Sequence, residues 1–116
     1  MAGRTIRIKE LIKLITHLGV FGANRQGGVN RLALSYQDKE ARDFLCNWFQ
    51  ENGFHTQIDA VGNIFGVLEI GTSSSQKVFM CGSHLDSQPN GGRFDGTLGV
   101  AFACIVGLSL KEMIDS

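Results

Sequence analysis

Residues 82–96 form a loop rich in glycine and polar side chains, and apolar segments lie on both sides of it. The upstream run Val-Phe-Met-Cys is strand-sized, so we predict a buried strand over residues 77–83. Downstream, fifteen consecutive residues carry no charge, too many for a strand and too few to span a bilayer. We therefore predict a buried helix from about Thr97 to Met113, apolar nearly all round. Because open α/β sheets bind ligands beyond the carboxyl ends of their strands, the loop is the expected binding site.

Three side chains of this loop can bind a metal ion: His84, Asp86 and Asp95. A neutral imidazole ligates zinc well, and a carboxylate can bridge two cations. Residues two apart in an extended chain point to the same side, so Asp86 can accept the second ring N–H of His84. The intervening glycines allow the chain to return Asp95 to within about 5 Å of the His84 ring. The pattern fits equally well a glycine-rich turn with a solvated histidine and two aspartates that cap helices.

Four segments of the chain carry a resemblance to a known family. They are His-Leu-Asp at 84–86, Asn-Gly-Gly-Arg-Phe-Asp-Gly-Thr-Leu-Gly-Val at 90–100, Gly-Gly-Val-Asn-Arg-Leu-Ala-Leu-Ser at 27–35 and Asp-Ala-Val-Gly-Asn at 59–63. Together they resemble the metal loop and preceding region of the M20-type metallohydrolases. The chain is most similar to the N-carbamoyl-L-amino-acid hydrolase, allantoate amidohydrolase and ureidopropionase branch, also called hydantoinase/carbamoylase amidases.

The resemblance implies a site with two divalent metal ions, zinc or manganese, that hydrolyses C–N bonds of linear amides. His84 would ligate one metal and Asp95 would bridge both. The resemblance also implies a catalytic role for Asp86, which would orient His84. The implied substrates are small ureido or amide compounds, namely N-carbamoyl amino acids or allantoate-like ureides. The resemblance also implies a cis peptide bond after Asp95.

Other functions remain open at this point. An M20-type aminopeptidase or deacylase would share the metal loop and differ in substrate. A non-catalytic remnant that acts only as an interaction module is a further alternative. Nucleotide binding by the glycines is disfavoured, because the loop lacks the GxxxxGK[ST] and GxGxxG patterns.

The order helix, helix, three strands, loop, helix predicts an α/β fold. The resemblance implies the N-terminal part of a zinc-exopeptidase-like αβα sandwich. Residues 1–116 would be the N-terminal portion of a metallohydrolase catalytic domain. The C-terminal portion and a lid domain, through which full-length relatives form homodimers, would be absent. Such a fragment is expected to be inactive alone, because the family's Glu-Glu pair and later histidines lie further along the chain.

The net charge excludes some classes of partner. Eleven basic and eleven acidic residues cancel, so we expect no nucleic-acid partner and no anionic membrane surface. Three widely spaced cysteines do not form a disulfide framework, and no secretory signal is visible, so a cytoplasmic location is expected. Cys81 and Cys104 lie in apolar runs and are predicted to be core thiols, as is Cys46.

The first half of the chain predicts two helices. Apolar residues three and four positions apart indicate an amphipathic helix over residues 8–18. Ser35, followed three residues later by Asp38, is typical of a helix N-terminus, and Gly53 marks the end of that helix. The apolar face of the second helix comprises Ala41, Phe44, Leu45, Trp48 and Phe49.

Two strands and a connection are predicted next. Residues 54–60 alternate between apolar and polar side chains, which predicts a half-exposed strand with His55 on its polar side. A turn at 61–63 leads into a second strand over residues 64–70. A polar connection is expected over residues 71–76.

Overall fold

The computed structural model of the protein describes residues 7–72 and 77–116. It contains three helices and one antiparallel β-hairpin, which confirms the predicted α/β class. The elements are α1 (Ile8–Leu18), α2 (Tyr36–Glu51), β1 (His55–Ile58), β2 (Ile64–Val67) and α3 (Thr97–Asp115). Most of the polar connection expected over residues 71–76 lies outside the described residues.

Helices α1 and α3 pack against each other and form one half of the core. Helix α1 buries its side chains at three- and four-residue spacing, as the amphipathic pattern predicts. Helix α3 contributes a matching row of buried side chains on one face. These residues are Leu11, Leu14 and Leu18 of α1, and Val100, Ala101, Cys104, Ile105 and Leu108 of α3.

The start of α2 is capped as the sequence predicts. The Ser35 hydroxyl accepts a hydrogen bond of 3.1 Å from the Asp38 backbone N–H. The Asp38 carboxylate accepts in return from the backbone N–H of Leu34, at 3.1 Å, one residue earlier than in a standard capping box. At the other end, Gly53 follows the helix with a φ of 81°, the left-handed conformation expected of a helix-ending glycine.

Two serine-to-alanine substitutions are expected to change stability in opposite directions. Ser35→Ala removes the α2 cap and should lower the free energy of unfolding by about 1 kcal/mol. The Ser109 hydroxyl in α3 is buried and has no hydrogen-bond partner among the described residues. Ser109→Ala should therefore raise that free energy, by up to about 1 kcal/mol, because it removes an unsatisfied polar group. Urea unfolding of both variants measures the two free energies. Equal losses of stability would contradict the hydrogen bond of Ser35 and the unsatisfied state of the Ser109 hydroxyl.

The hairpin packs on α2 through a cluster of three aromatic rings. The ring centroid of Phe49 lies 5.0 Å from that of Phe54 and 6.0 Å from that of Trp48. Gly66 of β2 faces the same ring, and a β-carbon there would come within 2.4 Å of the Phe49 ring. The predicted apolar face of α2 is thus confirmed as the second half of the core.

The predicted buried strand over residues 77–83 is wrong. These residues have no β-structure, and the only described strands are β1 and β2. The side chains of Val78 and Phe79 are 82% and 80% exposed. A strand needs a neighbour to take its backbone hydrogen bonds, and no described strand lies beside this segment. Cys81 is exposed for the same reason, so its assignment as a core thiol is also wrong.

Helix α3 is buried on one side only, which corrects the prediction of burial all round. Leu98, Phe102 and Val106 remain 37%, 43% and 39% exposed, and an open groove of about 230 Å³ separates Phe102 from Phe79. Cys104, on the inner side, is a core thiol as predicted, and burial raises its pKa to about 12.

The length and apolar composition of α3 also suffice for a membrane crossing. Its mean hydropathy reaches 1.7 over eighteen residues. A core helix of a soluble protein passes the same test, and the row of side chains that α3 buries against α1 is typical of a core helix.

Candidate metal centre

The segment around residues 87–91 is held by a second loop, residues 27–31. Val29 and Gly91 exchange two backbone hydrogen bonds of 2.9 Å each. The Ser87 backbone N–H donates to the Arg31 carbonyl at 2.7 Å, and the Ser87 hydroxyl accepts from the Arg31 backbone N–H at 2.9 Å. This short pairing of two glycine-rich loops anchors the candidate site.

Arg31 is buried beneath this pairing, with only 1% of its surface exposed. Its guanidinium donates to three backbone carbonyls and one hydroxyl. The acceptors are Leu18 O at 2.6 Å, Phe21 O at 2.7 Å, Leu85 O at 2.8 Å and Thr97 Oγ1 at 3.0 Å. Burial lowers the pKa of Arg31, while the nearby charges of Asp38 and Asp86 oppose that shift. Sequence reasoning did not single out Arg31, because neither periodicity nor spacing marks it.

His84 and Asp86 lie side by side at the surface. The Nδ1 atom of His84 is 2.9 Å from the Asp86 carbonyl oxygen and 3.3 Å from the Asp86 carboxylate. A carbonyl oxygen only accepts hydrogen bonds, so Nδ1 must carry the proton. In the neutral ring, Nε2 then holds a free lone pair, the form that ligates a metal ion.

The chain returns to His84 at Gly96. A β-carbon on Gly96 would lie 2.4 Å from Nδ1 of the His84 ring and 2.5 Å from the His84 carbonyl oxygen. Gly96 has a φ of 73° and caps α3 without a side-chain hydrogen bond. The cis peptide bond expected after Asp95 is wrong, because the peptide bonds of the described residues are trans. The positive φ of Gly96 turns the chain into the helix instead.

The residues present fit a metal ion only in part. His84 offers a half-exposed imidazole with the correct tautomer, which suits zinc. Within residues 7–72 and 77–116, however, no three His, Cys, Asp or Glu side chains are close enough together to hold a metal ion. The approach of Asp95 to His84 and its role as a bridging ligand therefore stay predictions.

Asparagines form the polar rim beside this loop. Asn24 donates to the Asn90 side chain at 3.0 Å, and the Asn30 side chain accepts from the Asn90 backbone N–H at 2.6 Å. Asn90 has a φ of 50°, a conformation that asparagine tolerates better than most residues. The Asn-Gly-Gly sequence signals a turn, but not its attachment to Asn24.

Comparisons with known proteins are consistent with this geometry. No family model matches the chain. The chain is 40% identical over 107 residues to an N-carbamoyl-L-amino acid amidohydrolase of Geobacillus stearothermophilus. The aligned region covers 92% of this chain and 26% of that relative. It is 39% identical over 98 residues to an allantoate amidohydrolase of Bacillus subtilis, covering 84% of the chain and 24% of the relative.

A solved structure matches over a similar extent. It is an amidase of the hydantoinase/carbamoylase family from Burkholderia vietnamiensis, with a TM-score of 0.87 and 35% sequence identity. The match covers 97% of this chain and 27% of that one. The chain is homologous to part of the hydantoinase/carbamoylase amidases. It spans about a quarter of the length of the amidases that it matches, and the predicted resemblance to this branch is confirmed.

Proposed function

We propose that the chain supplies the first part of a dinuclear amidohydrolase site that cleaves C–N bonds of linear amides. The observation that carries this proposal is the distance of 2.9 Å between Nδ1 of His84 and the Asp86 carbonyl oxygen, an acceptor that favours a proton on Nδ1 and leaves Nε2 to a metal ion. The names of the relatives support it, since they are amidohydrolases of N-carbamoyl-L-amino acids and of allantoate. The proposed substrates are accordingly N-carbamoyl amino acids or allantoate-like ureides.

Each residue of the loop has a distinct proposed role. His84 would hold a divalent ion, zinc or manganese, through Nε2, and Asp95 would be the ligand shared with a second ion. Asp86 fixes the tautomer and orientation of His84 through the contacts at Nδ1. When bound, such ions act as Lewis acids on the carbonyl of the bond to be cleaved.

We propose further that the polypeptide of residues 1–116 does not catalyse by itself. Hydrolysis needs a base that accepts a proton from water, and each metal needs several ligands. The acidic residues after the loop are Glu112 and Asp115, which lie about 25 and about 30 Å along α3 from Asp95 at 1.5 Å per residue. Both are engaged there, Glu112 with Arg7 at 2.8 Å and Asp115 with Lys111 at 2.7 Å.

This proposal assigns the chain to the N-terminal portion of a catalytic domain. A base and further ligands would come from the remainder of that domain, and a separate domain would form a homodimer. We place the protein in the cytoplasm. The charge balance of the chain supports a small-molecule substrate over nucleic acid or a membrane surface.

A segment exchange tests the function. The matching quarter of the Geobacillus stearothermophilus amidohydrolase is replaced by this chain, and turnover of an N-carbamoyl-L-amino acid is measured with added zinc or manganese. We expect the chimera to be active and the isolated chain to show no turnover. His84→Ala in the chimera should lower kcat by at least about a thousandfold, because a metal loses its imidazole ligand.

The matched control is His55→Ala, which removes an exposed histidine of β1 and should leave kcat unchanged. Activity that survives His84→Ala would contradict the proposed ligand. Turnover by the isolated chain would contradict its proposed incompleteness. A chimera that hydrolyses dipeptides and not ureido substrates would favour the aminopeptidase alternative.

A further inference from the structure

The guanidinium of Arg31 donates hydrogen bonds to both arms of the candidate metal loop, which are the segments 84–86 and 95–97. One of its acceptors is the carbonyl of Leu85, the residue between His84 and Asp86, at 2.8 Å. Another is the hydroxyl of Thr97, two residues after Asp95, at 3.0 Å. The same buried group therefore holds the chain next to each of the two proposed ligands.

The other contacts of Arg31 fix the guanidinium itself. Two carbonyls, that of Leu18 at the end of α1 and that of Phe21 after it, accept from a single nitrogen at 2.6 and 2.7 Å. No carboxylate among the described residues accepts a hydrogen bond from Arg31, so an ion pair does not explain its burial. A buried charge is costly to desolvate and needs full hydrogen bonding, which these four neutral acceptors supply, while the Asp38 and Asp86 charges act on Arg31 without hydrogen-bonding to it.

We propose that Arg31 is a positioning residue that sets the orientation of His84 relative to Asp95. This inference rests on the proposed function, because it concerns the same metal loop. The space between the two arms is small, since a single β-carbon on Gly96 would overlap the His84 ring. Only an arginine offers a rigid planar fork that reaches several acceptors at once, whereas a lysine offers one compact ammonium group.

The test compares Arg31→Lys with Leu45→Ala in the 116-residue protein. Leu45 is a buried core residue of α2 and takes no part in the hydrogen bonds of Arg31, so its truncation destabilises the fold while those hydrogen bonds stay in place. Two readouts are taken at a temperature where circular dichroism shows both variants folded. One is the NMR spectrum of the His84 ring nitrogens and the Gly96 amide, without metal. The other is the affinity for Zn²⁺ by titration.

We expect Arg31→Lys to abolish the predominance of the Nδ1–H tautomer of His84, to shift the Gly96 amide and to weaken Zn²⁺ binding by about tenfold or more. Leu45→Ala should leave the tautomer and the amide unchanged and alter the affinity less than twofold. Wild-type spectra and affinity in Arg31→Lys would overturn the proposal, as would equal changes in Leu45→Ala.

The two readouts also separate this inference from the proposed function. If the wild-type protein binds no Zn²⁺, the affinity readout is repeated in the chimera with the Geobacillus stearothermophilus amidohydrolase, which supplies the further ligands, and a failure to bind there contradicts the metal site. The His84 and Gly96 spectra of the 116-residue protein still decide the role of Arg31. If Arg31→Lys does not fold, Thr97→Val removes one of the four hydrogen bonds and should shift the same resonances to a smaller extent. Unchanged spectra in a folded Thr97→Val variant would then overturn the proposal.

Discussion

Replacing Gly96 by alanine is expected to lower the free energy of unfolding by about 3 kcal/mol, through backbone strain and steric overlap. The φ of 73° at Gly96 is disfavoured for any residue with a β-carbon. The new methyl group would also lie 2.4 Å from the His84 ring and 2.5 Å from the His84 carbonyl oxygen. The ring can rotate away, but the carbonyl belongs to the backbone, so the loop and the first turn of α3 must separate.

The matched control is Gly92→Ala in the same loop. A β-carbon added at Gly92 would meet no neighbour within 4 Å, and its φ is not positive, so this substitution should change stability by less than about 0.5 kcal/mol. Urea unfolding measures both variants. Zn²⁺ titration then shows whether Gly96→Ala weakens binding, as displacement of His84 predicts. Equal stabilities of the two variants would show that Gly96 does not lie against His84.

Truncation of Phe49 to alanine should be the most destabilising change to the core, at about 4 kcal/mol. Phe49 is buried, contacts the rings of both Trp48 and Phe54, and covers Gly66 of β2. Its removal leaves a cavity at the place where the hairpin meets α2. Because protein domains in general are stable by only about 5–15 kcal/mol, this variant is expected to melt far below the wild type in thermal unfolding.

Phe79→Ala is the informative comparison, because it makes the same chemical change at an exposed ring. With Phe79 80% exposed, its truncation should alter the free energy of unfolding by less than about 0.5 kcal/mol. A loss comparable to that of Phe49→Ala would mean that residues 77–83 are packed in solution, as the sequence pattern predicts. A small loss supports an exposed segment without β-structure.

Local signals in the sequence were sufficient for the helices and the hairpin. The periodicity of residues 8–18, the Ser35 cap and the glycine after α2 act within a few residues of chain, so they can be recognised without knowing the fold. The candidate site was located by the same kind of signal. His84 and Asp86 are two residues apart, and their contact depends only on an extended backbone between them.

Contacts between distant parts of the chain could not be predicted in this way. The burial of Arg31 depends on carbonyls thirteen residues before it and fifty-four residues after it. The apolar run at 78–81 has the composition of a buried strand, but a strand forms only where a partner takes its hydrogen bonds. The outer face of α3 likewise stays exposed because the described residues pack against one side of the helix alone.

The sequence by itself therefore determined the positions of the three helices and of the hairpin, the family that the chain resembles and the loop that carries the candidate ligands. These properties depend on short-range periodicity and on side-chain chemistry. Only the tertiary structure decided that Arg31 joins the two arms of that loop, that Gly96 closes against the His84 ring and that residues 77–83 form no strand. Each of these depends on which distant backbone atoms come together, and no local pattern encodes that arrangement.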